Sequence, residues 1–218
     1  MYNEAPRRII LNSFETDIKR AVISMPFVVG IILEISILWV AGFDSDFFRM
    51  SIPVIATLPY STAWLNDYES GYIKFYVSRT GIRQYIYGKI LASAVSGGLV
   101  EVAGCAIYQM LKGNIGEKIN LQLIFVSGML WAVVSTTMAA WLKSRYIAYG
   151  GSFVIYYLLV ILHDRYYDKA YIFYPYEWIE PKNKWVFDEQ GIIILITGIM
   201  LIVVCIYNLL LRRCIERV

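Results

Sequence analysis

The sequence has little of the chemistry that enzymes place in an active site. It holds one histidine, His163, so a histidine-based metal site is excluded, and the sequence argues against a Ser-His or Cys-His catalytic arrangement. Its three cysteines suggest no disulfide framework, since two lie in apolar runs and one in a basic tail. The phosphate-binding pattern G-x-x-x-x-G-K-[ST] is absent, so the chain cannot hydrolyse ATP by that route alone. We therefore predict that the chain is not an enzyme and binds no cofactor or metal itself.

Charge is also scarce. Charged residues make up 17% of the 218 residues and hydrophobic residues 58%, against about 25% and about 45–50% in soluble domains. A chain this short cannot bury that excess in one soluble core. The net charge of +3 is too small to indicate a nucleic-acid partner, and the hydrophobicity excludes disorder. The composition predicts an integral membrane protein.

Six apolar runs approach the roughly 20 residues that a membrane span needs. Because the first run is longer than the apolar core of a signal peptide and lacks a small-residue cleavage site, we predict that it is retained. The second run carries Pro53 and Pro59, which favour a kink. The predicted fold class is therefore an all-α integral membrane protein, a single transmembrane domain whose six helices cover 21–41, 50–65, 90–111, 121–142, 146–162 and 191–211.

The distribution of the basic residues predicts the orientation of these helices across the membrane. Thirteen of the 20 lysines and arginines lie in the N-terminal stretch, the second and fourth loops and the C-terminal tail. Cytoplasmic loops carry the excess of basic residues. We therefore predict a multi-pass protein with both termini in the cytoplasm.

Two segments outside the spans have distinctive patterns. Residues 1–20 place apolar side chains at helical spacing between charges, which predicts a helix in the membrane interface, with a frayed tail as the alternative. The outer segment 163–190 is rich in tyrosine and tryptophan, side chains that prefer the headgroup level. We predict that it re-enters or lies along the outer interface; an aromatic ligand site is the alternative.

Two carboxyl groups fall inside predicted spans, at Glu34 and Glu101. A charge near the bilayer centre costs about 2.5–3.5 kcal/mol, so each should face protein or water. Glu101 shares a helical stripe with small residues, and Gly30 lies one turn before Glu34. The two are candidates for lining a translocation path, or else structural carboxyls within the bundle.

The inner loop after the second run reads NDYESGYIKFYVSRTGIRQYIYGK. Its pattern predicts a short helix, a turn at 79–81 and, over 84–89, the entry to the third span. A short amphipathic helix at this place either docks a cytoplasmic partner or lies on the lipid surface.

In this order of features the chain resembles the membrane-spanning subunit of a type 2 ABC exporter, a six-span permease paired with an ATPase. The matching residues are Glu69-Ser70-Gly71, the run 72–77, Ser78-Arg79-Thr80-Gly81 and Tyr87-Gly88-Lys89. The chain departs from many members in having almost no outer domain and in carrying Ser70-Gly71-Tyr72 where a Gly-Thr pair is often found.

The resemblance implies a coupling helix region over 66–81, a membrane-hugging hairpin over 164–190 and a second contact at 143–145. It also implies a separate cytoplasmic ABC ATPase that binds ATP and magnesium, and a second permease copy or homologue in a homodimer or heterodimer. The bilayer would be a bacterial-type plasma membrane, and the substrates amphipathic or antimicrobial-type peptides, such as those like phenol-soluble modulins. The implied ATPase-coupling residues are Tyr68, Glu69, Gly71, Phe75, Arg79, Arg83, Lys143 and Arg145.

Two other functions compete with the exporter hypothesis. The chain could be a non-transporting immunity or scaffold protein that sequesters a peptide. It could also be an intramembrane enzyme or ion-coupled carrier that uses Glu34 and Glu101, although the sequence shows no inverted repeat.

Overall fold

The computed structural model describes the backbone of residues 5–113, 120–167 and 171–215, and the side chains of these ranges from Phe14 onward. Within these ranges the chain forms nine α-helices and a three-residue 3-10 helix, without strands, so the all-helical prediction is confirmed there. The helices are α1 Ala5–Val22, α2 Met25–Ala41, α3 Asp46–Ile55, α4 Ala63–Glu69, α5 Tyr72–Thr80, α6 Ile82–Lys112, α7 Leu121–Leu142, α8 Arg145–Tyr166 and α9 Asp188–Ile215.

Four of these helices, α6 to α9, are each long and apolar enough to cross a membrane. A fifth candidate is the pair Phe14–Val22 and Met25–Ala41, which is bent by 51°. The bend arises because Ser24 caps α2, its Oγ accepting from the Phe27 amide at 3.3 Å, and Pro26 occupies the first turn. Length and composition thus indicate four or five spans, and the predicted first span, 21–41, covers the end of α1, the bend and the whole of α2.

The predicted second span is not one helix. α3 ends at Ile55, turns follow over 56–62, and α4 begins at Ala63. Pro59 explains the break, because it has no amide hydrogen to donate to the Ile55 carbonyl four residues earlier. With ten residues, α3 is shorter than a membrane crossing requires, so a sixth span stays a prediction.

The other predicted spans coincide with single helices. Residues 121–142 are α7 from end to end: Asn120 caps its first turn, and Lys143 ends it in a left-handed conformation with φ 50°. The helices α6, α8 and α9 begin before and end after the spans predicted for them. The predicted coupling region becomes α4 and α5, joined at Gly71, whose φ of 71° favours glycine.

The helices pack around α6 and α7. At one end of the bundle, α4, α5 and the C-terminal part of α9 share an apolar cluster that includes Trp64, Tyr85 and Leu211. We call this the α4–α5 end. The start of α3 and the C-terminal part of α8 lie at the opposite end.

The described part of the predicted outer segment folds back onto the helices. Residues 171–173 form the 3-10 helix, and the turns that follow place Trp178 against Trp131 of α7, with ring centroids 6.0 Å apart. Trp178 is therefore a core residue and not part of an interfacial belt, whereas Tyr166, Tyr167 and Phe173 are exposed. A membrane-hugging hairpin over 164–190 stays a prediction; residues 168–170 lie outside the described ranges.

Candidate functional site: the α4–α5 end and a buried carboxyl pair

The sequence-predicted coupling residues lie at the α4–α5 end. Glu69 is the last residue of α4, and Arg145, the first residue of α8, forms an ion pair with it. Next to this pair, the Lys143 ammonium donates to the Tyr68 hydroxyl at 3.2 Å and lies 4.8 Å from the centre of its ring. The two contacts that the sequence predicts separately, after α3 and between α7 and α8, therefore form one surface.

The outward side of this surface is both apolar and basic. The Phe75 side chain on α5 is 71% exposed. Arg79 and Arg83 are exposed on α5 and on the first turn of α6. An exposed aromatic ring between basic side chains is suited to a partner protein or to anionic headgroups.

A buried ionic cluster that sequence analysis missed lies beneath this surface. The Lys89 ammonium is 3.1 Å from Asp17 Oδ1, 2.8 Å from Asp67 Oδ2 and 3.0 Å from the Tyr60 hydroxyl. The Tyr60 hydroxyl in turn donates to Asp17 at 2.6 Å, and that of Tyr85 to Asp67 at 3.0 Å. These contacts connect α1, α4 and α6 and the turn after α3, so they position α4 relative to the long helices. In the sequence, a lysine at the start of an apolar run is the only feature that points to this cluster.

The two intramembrane glutamates meet inside the bundle. Glu34 on α2 and Glu101 on α6 are fully buried and lie close enough for their carboxyl groups to interact electrostatically. The backbones approach closely here: a Cβ on Gly104 would lie 2.7 Å from Glu34 Cβ, and a Cβ on Gly128 would lie 2.9 Å from Glu101 Cγ. The Cys105 thiol lies 3.8 Å from Glu34 Oε1. Sequence analysis found both glutamates but not their contact.

The described residues place no cation against this pair. Glu34 Oε2 and both carboxyl oxygens of Glu101 have no hydrogen-bond donor among them. Two ionised carboxylates only accept hydrogen bonds, so one can bond to the other only when a proton lies between them. The described part of the chain also contains no metal-binding group of histidine, cysteine and acidic residues.

We expect Glu101→Gln to raise the free energy of unfolding by about 1 kcal/mol, because the amide supplies the donor that Glu34 lacks. Unfolding in detergent, followed by circular dichroism, measures the change. Glu101→Leu is the matched control: it removes the polar partner at similar volume and should be less stable than Glu101→Gln. If Glu101→Gln were the less stable of the two, the contact with Glu34 would not be the relevant interaction.

No family model, curated protein or solved structure matches this chain.

Proposed function

We propose that the chain is the permease subunit of an ATP-driven ABC exporter. The observation that carries the proposal is the helix pair α4–α5, fixed at one end of an apolar bundle by the contacts of Glu69 with Arg145 and of Tyr68 with Lys143. Such a helix pair is suited to bind a partner protein and to transmit the partner's movement to the long helices of the bundle. In this proposal a separate cytoplasmic ATPase binds ATP and magnesium and docks at the α4–α5 end, and a second permease copy or homologue completes the path. Amphipathic or antimicrobial-type peptides are the proposed substrates.

The contacts of α4 explain how force could reach the spans. Arg145 ties α4 to the turn between α7 and α8, and Lys89 ties it to α6 and α1. A displacement of α4 therefore moves several long helices together, as rigid elements rather than by local chemistry. Closure of the ATPases would tilt the spans through these contacts of Arg145 and Lys89.

The proposal places the α4–α5 end in the cytoplasm of a bacterial-type plasma membrane. The described part of α1 that carries Asp17 and the C-terminal part of α9 both lie at this end. With Arg79, Arg83, Lys143 and Arg145 there as well, this end has the basic character of a cytoplasmic face. This supports placing both termini in the cytoplasm.

Affinity purification of the full chain from its native membranes tests the proposal. The wild-type chain should bring down a nucleotide-binding subunit, and Phe75→Asp should reduce its yield about tenfold or more, because a charge then replaces an apolar docking group. Phe187→Asp is the matched control, since Phe187 is 74% exposed against 71% for Phe75 and lies at the opposite end. A wild-type preparation without an ATPase, or equal loss in both variants, would contradict the proposal.

We expect Glu69→Arg to lower transport-coupled ATP hydrolysis several-fold, because it places two cations together where α4 meets α8. The double variant Glu69→Arg with Arg145→Glu reverses the pair and should restore most of the activity. Both side chains are about half exposed, so the free energy of unfolding should change by less than about 1 kcal/mol. ATPase assays on the copurified complex measure the effect; a double variant no better than the single one would mean that the pair does not act as a unit.

The contact of Glu34 with Glu101 favours an ion-coupled carrier as a second candidate, because paired intramembrane carboxyls are used to move protons. A carrier would transport in vesicles that contain the purified chain without nucleotide. An exporter requires its ATPase, and a sequestering immunity protein would protect cells even with a catalytically dead ATPase.

A further inference from the structure

A cavity of about 460 Å³ opens at the end of the bundle opposite α4 and α5. Its volume lies in the range of small-molecule sites. The start of α3, the last turns of α8 and residues 174–182 form its walls. The proposed function assigns no role to it.

One organic cation already occupies the wall of this cavity. The Arg49 guanidinium, whose residue is 6% exposed, lies 3.0 Å from Asp46 Oδ1, is paired with Glu180, and lies 5.5 Å from the centre of the Tyr176 ring. Two carboxylates thus neutralise one guanidinium, which leaves an excess negative charge. The arrangement also shows that this wall accommodates a planar cation against a tyrosine ring.

A third carboxylate in the cavity, that of Glu177, has only neutral donors. Glu177 is buried and accepts from the amides of Lys182 and Asn183 at 3.0 and 3.1 Å, and from the Trp185 indole at 3.3 Å. The Asn183 side chain donates to its other oxygen at 3.0 Å. Its hydrogen bonds are satisfied, but no cation among the described residues neutralises its charge.

Two tyrosines of the cavity, Tyr174 and Tyr176, lie near its carboxylates. Burial raises the pKa of Tyr174 to about 12, and the Asp164 carboxylate adds to the shift. Burial also raises the pKa of Tyr176 to about 12, with a further rise from Asp46 and an opposing effect of Arg49. The phenols are therefore neutral at physiological pH, and such rings can contact a cation, as the Tyr176 ring contacts Arg49.

Asp164 is an exposed carboxylate of the cavity that is not paired with Arg49. Its carboxylate lies 3.1 Å from His163 Nδ1, and its side chain is 51% exposed. The His163 ring stacks on Tyr174 with centroids 3.9 Å apart, which fixes that phenol beside the carboxylate. Arg165 and Lys182 also line the cavity and are exposed, as Asp164 is, so solvent and salt screen all three charges.

We propose that this cavity binds an organic cation, a primary ammonium or guanidinium group carried on a short apolar body. Asp164 and the Tyr174 ring bind the charge, and the buried Val160 and half-buried Ile161 contact the apolar body. The inference does not depend on the ABC exporter proposal. A basic side chain of an amphipathic peptide and the ethanolamine headgroup of a phospholipid both present this chemistry.

The test uses n-butylguanidinium as the probe and n-butylurea as its neutral isostere. Dissociation constants are measured by saturation-transfer difference NMR on the full chain in maltoside micelles. Butylguanidinium should bind about tenfold tighter than butylurea or better, because only the cation gains from Asp164 and the tyrosine ring. Equal binding of the two probes would overturn the proposal.

Substitutions locate the site. Asp164→Asn keeps the shape and an acceptor for His163, and should weaken butylguanidinium binding about tenfold; Tyr174→Leu should weaken it through loss of the ring. Asp44→Asn is the matched control, an exposed carboxylate near the same end that does not line the cavity, and should bind as the wild type does. An Asp164→Asn variant that binds as tightly as the wild type would overturn the assignment, with an unchanged thermal midpoint showing that the variant is folded.

Competition identifies the natural source of the cation. Lysophosphatidylethanolamine should displace the probe, and lysophosphatidylglycerol should not, if the cavity holds a lipid headgroup. A lysine-containing amphipathic peptide, but not its acetylated form, should displace the probe if the cavity holds a peptide side chain. Displacement by neither would restrict the site to free small cations, and equal displacement by charged and acetylated peptide would contradict recognition of the charge.

Discussion

Replacing Lys89 by methionine is expected to lower the free energy of unfolding by about 3–5 kcal/mol, the cost of leaving a buried carboxylate without its cation. Lys89 is 3% exposed and Asp17 is fully buried. The three donors of the ammonium match three acceptors, on Asp17, Asp67 and Tyr60, at 2.8–3.1 Å. Methionine fills much of the same volume, so the expected loss arises from charge and hydrogen bonding rather than from a cavity.

Unfolding of the purified chain in detergent, followed by circular dichroism, measures this loss. Lys74→Met is the matched control, because Lys74 is exposed on α5 at the same end, and it should change stability by less than about 0.5 kcal/mol. The double variant Lys89→Met with Asp17→Leu removes both charges and should recover at least half of the loss. If Lys89→Met and Lys74→Met were equally stable, the cluster would not hold α1 and α4 on α6.

This cluster also shows what sequence analysis could not find. Lys89 and Asp17 are 72 residues apart in the chain, and nothing in their local patterns pairs them. The sequence pattern places Lys89 in the inner loop, directly before the apolar run 90–111. Its burial depends on the packing of α1 and α4 against α6, which only the tertiary structure specifies.

The sequence predicts the end of a helix well where a single residue determines the backbone conformation at that end. The limits of α7 match the predicted run because Asn120 caps one end and Lys143 ends the other in a left-handed turn. The predicted second span is interrupted: hydrophobicity continues through 50–65, whereas α3 ends at Ile55, four residues before Pro59. Apolar composition indicates which residues lie in the membrane, whereas the backbone hydrogen bonds determine whether those residues form one continuous helix.

In the candidate site, too, the sequence predicts individual residues but not the contacts between them. Glu34 and Glu101 were found because carboxyl groups are rare inside apolar runs, but their contact depends on the register of α2 against α6. Similarly, Glu69 and Arg145 were predicted as coupling residues of two different loops, and the fold joins them in one ion pair. The outer cavity was missed, because its residues come from three segments and share no motif.

Gly97→Leu is expected to prevent α6 from packing against α7. A Cβ at Gly97 would contact Ala132 Cβ too closely and would lie 2.8 Å from the Ala56 carbonyl oxygen and 3.2 Å from the Gly128 carbonyl oxygen. Two of these neighbours are backbone atoms, so no rotamer change relieves them. Helices in a bilayer gain little from the hydrophobic effect on association and depend on such close approach. Overpacking by a single methyl group costs about 1–3 kcal/mol, and leucine adds three further carbons.

Gly150→Leu on α8 separates this steric cost from the intrinsic effect of replacing glycine in a helix. Nothing lies within 4 Å of a Cβ at Gly150, so this variant should gain up to about 1 kcal/mol from helix propensity. The Gly97 variant has the same gain in propensity and should nevertheless lose its monodisperse peak in size-exclusion chromatography, while Gly97→Ala keeps the peak with a lower thermal midpoint. A folded Gly97→Leu protein with the midpoint of Gly150→Leu would mean that α6 and α7 do not approach closely at this glycine.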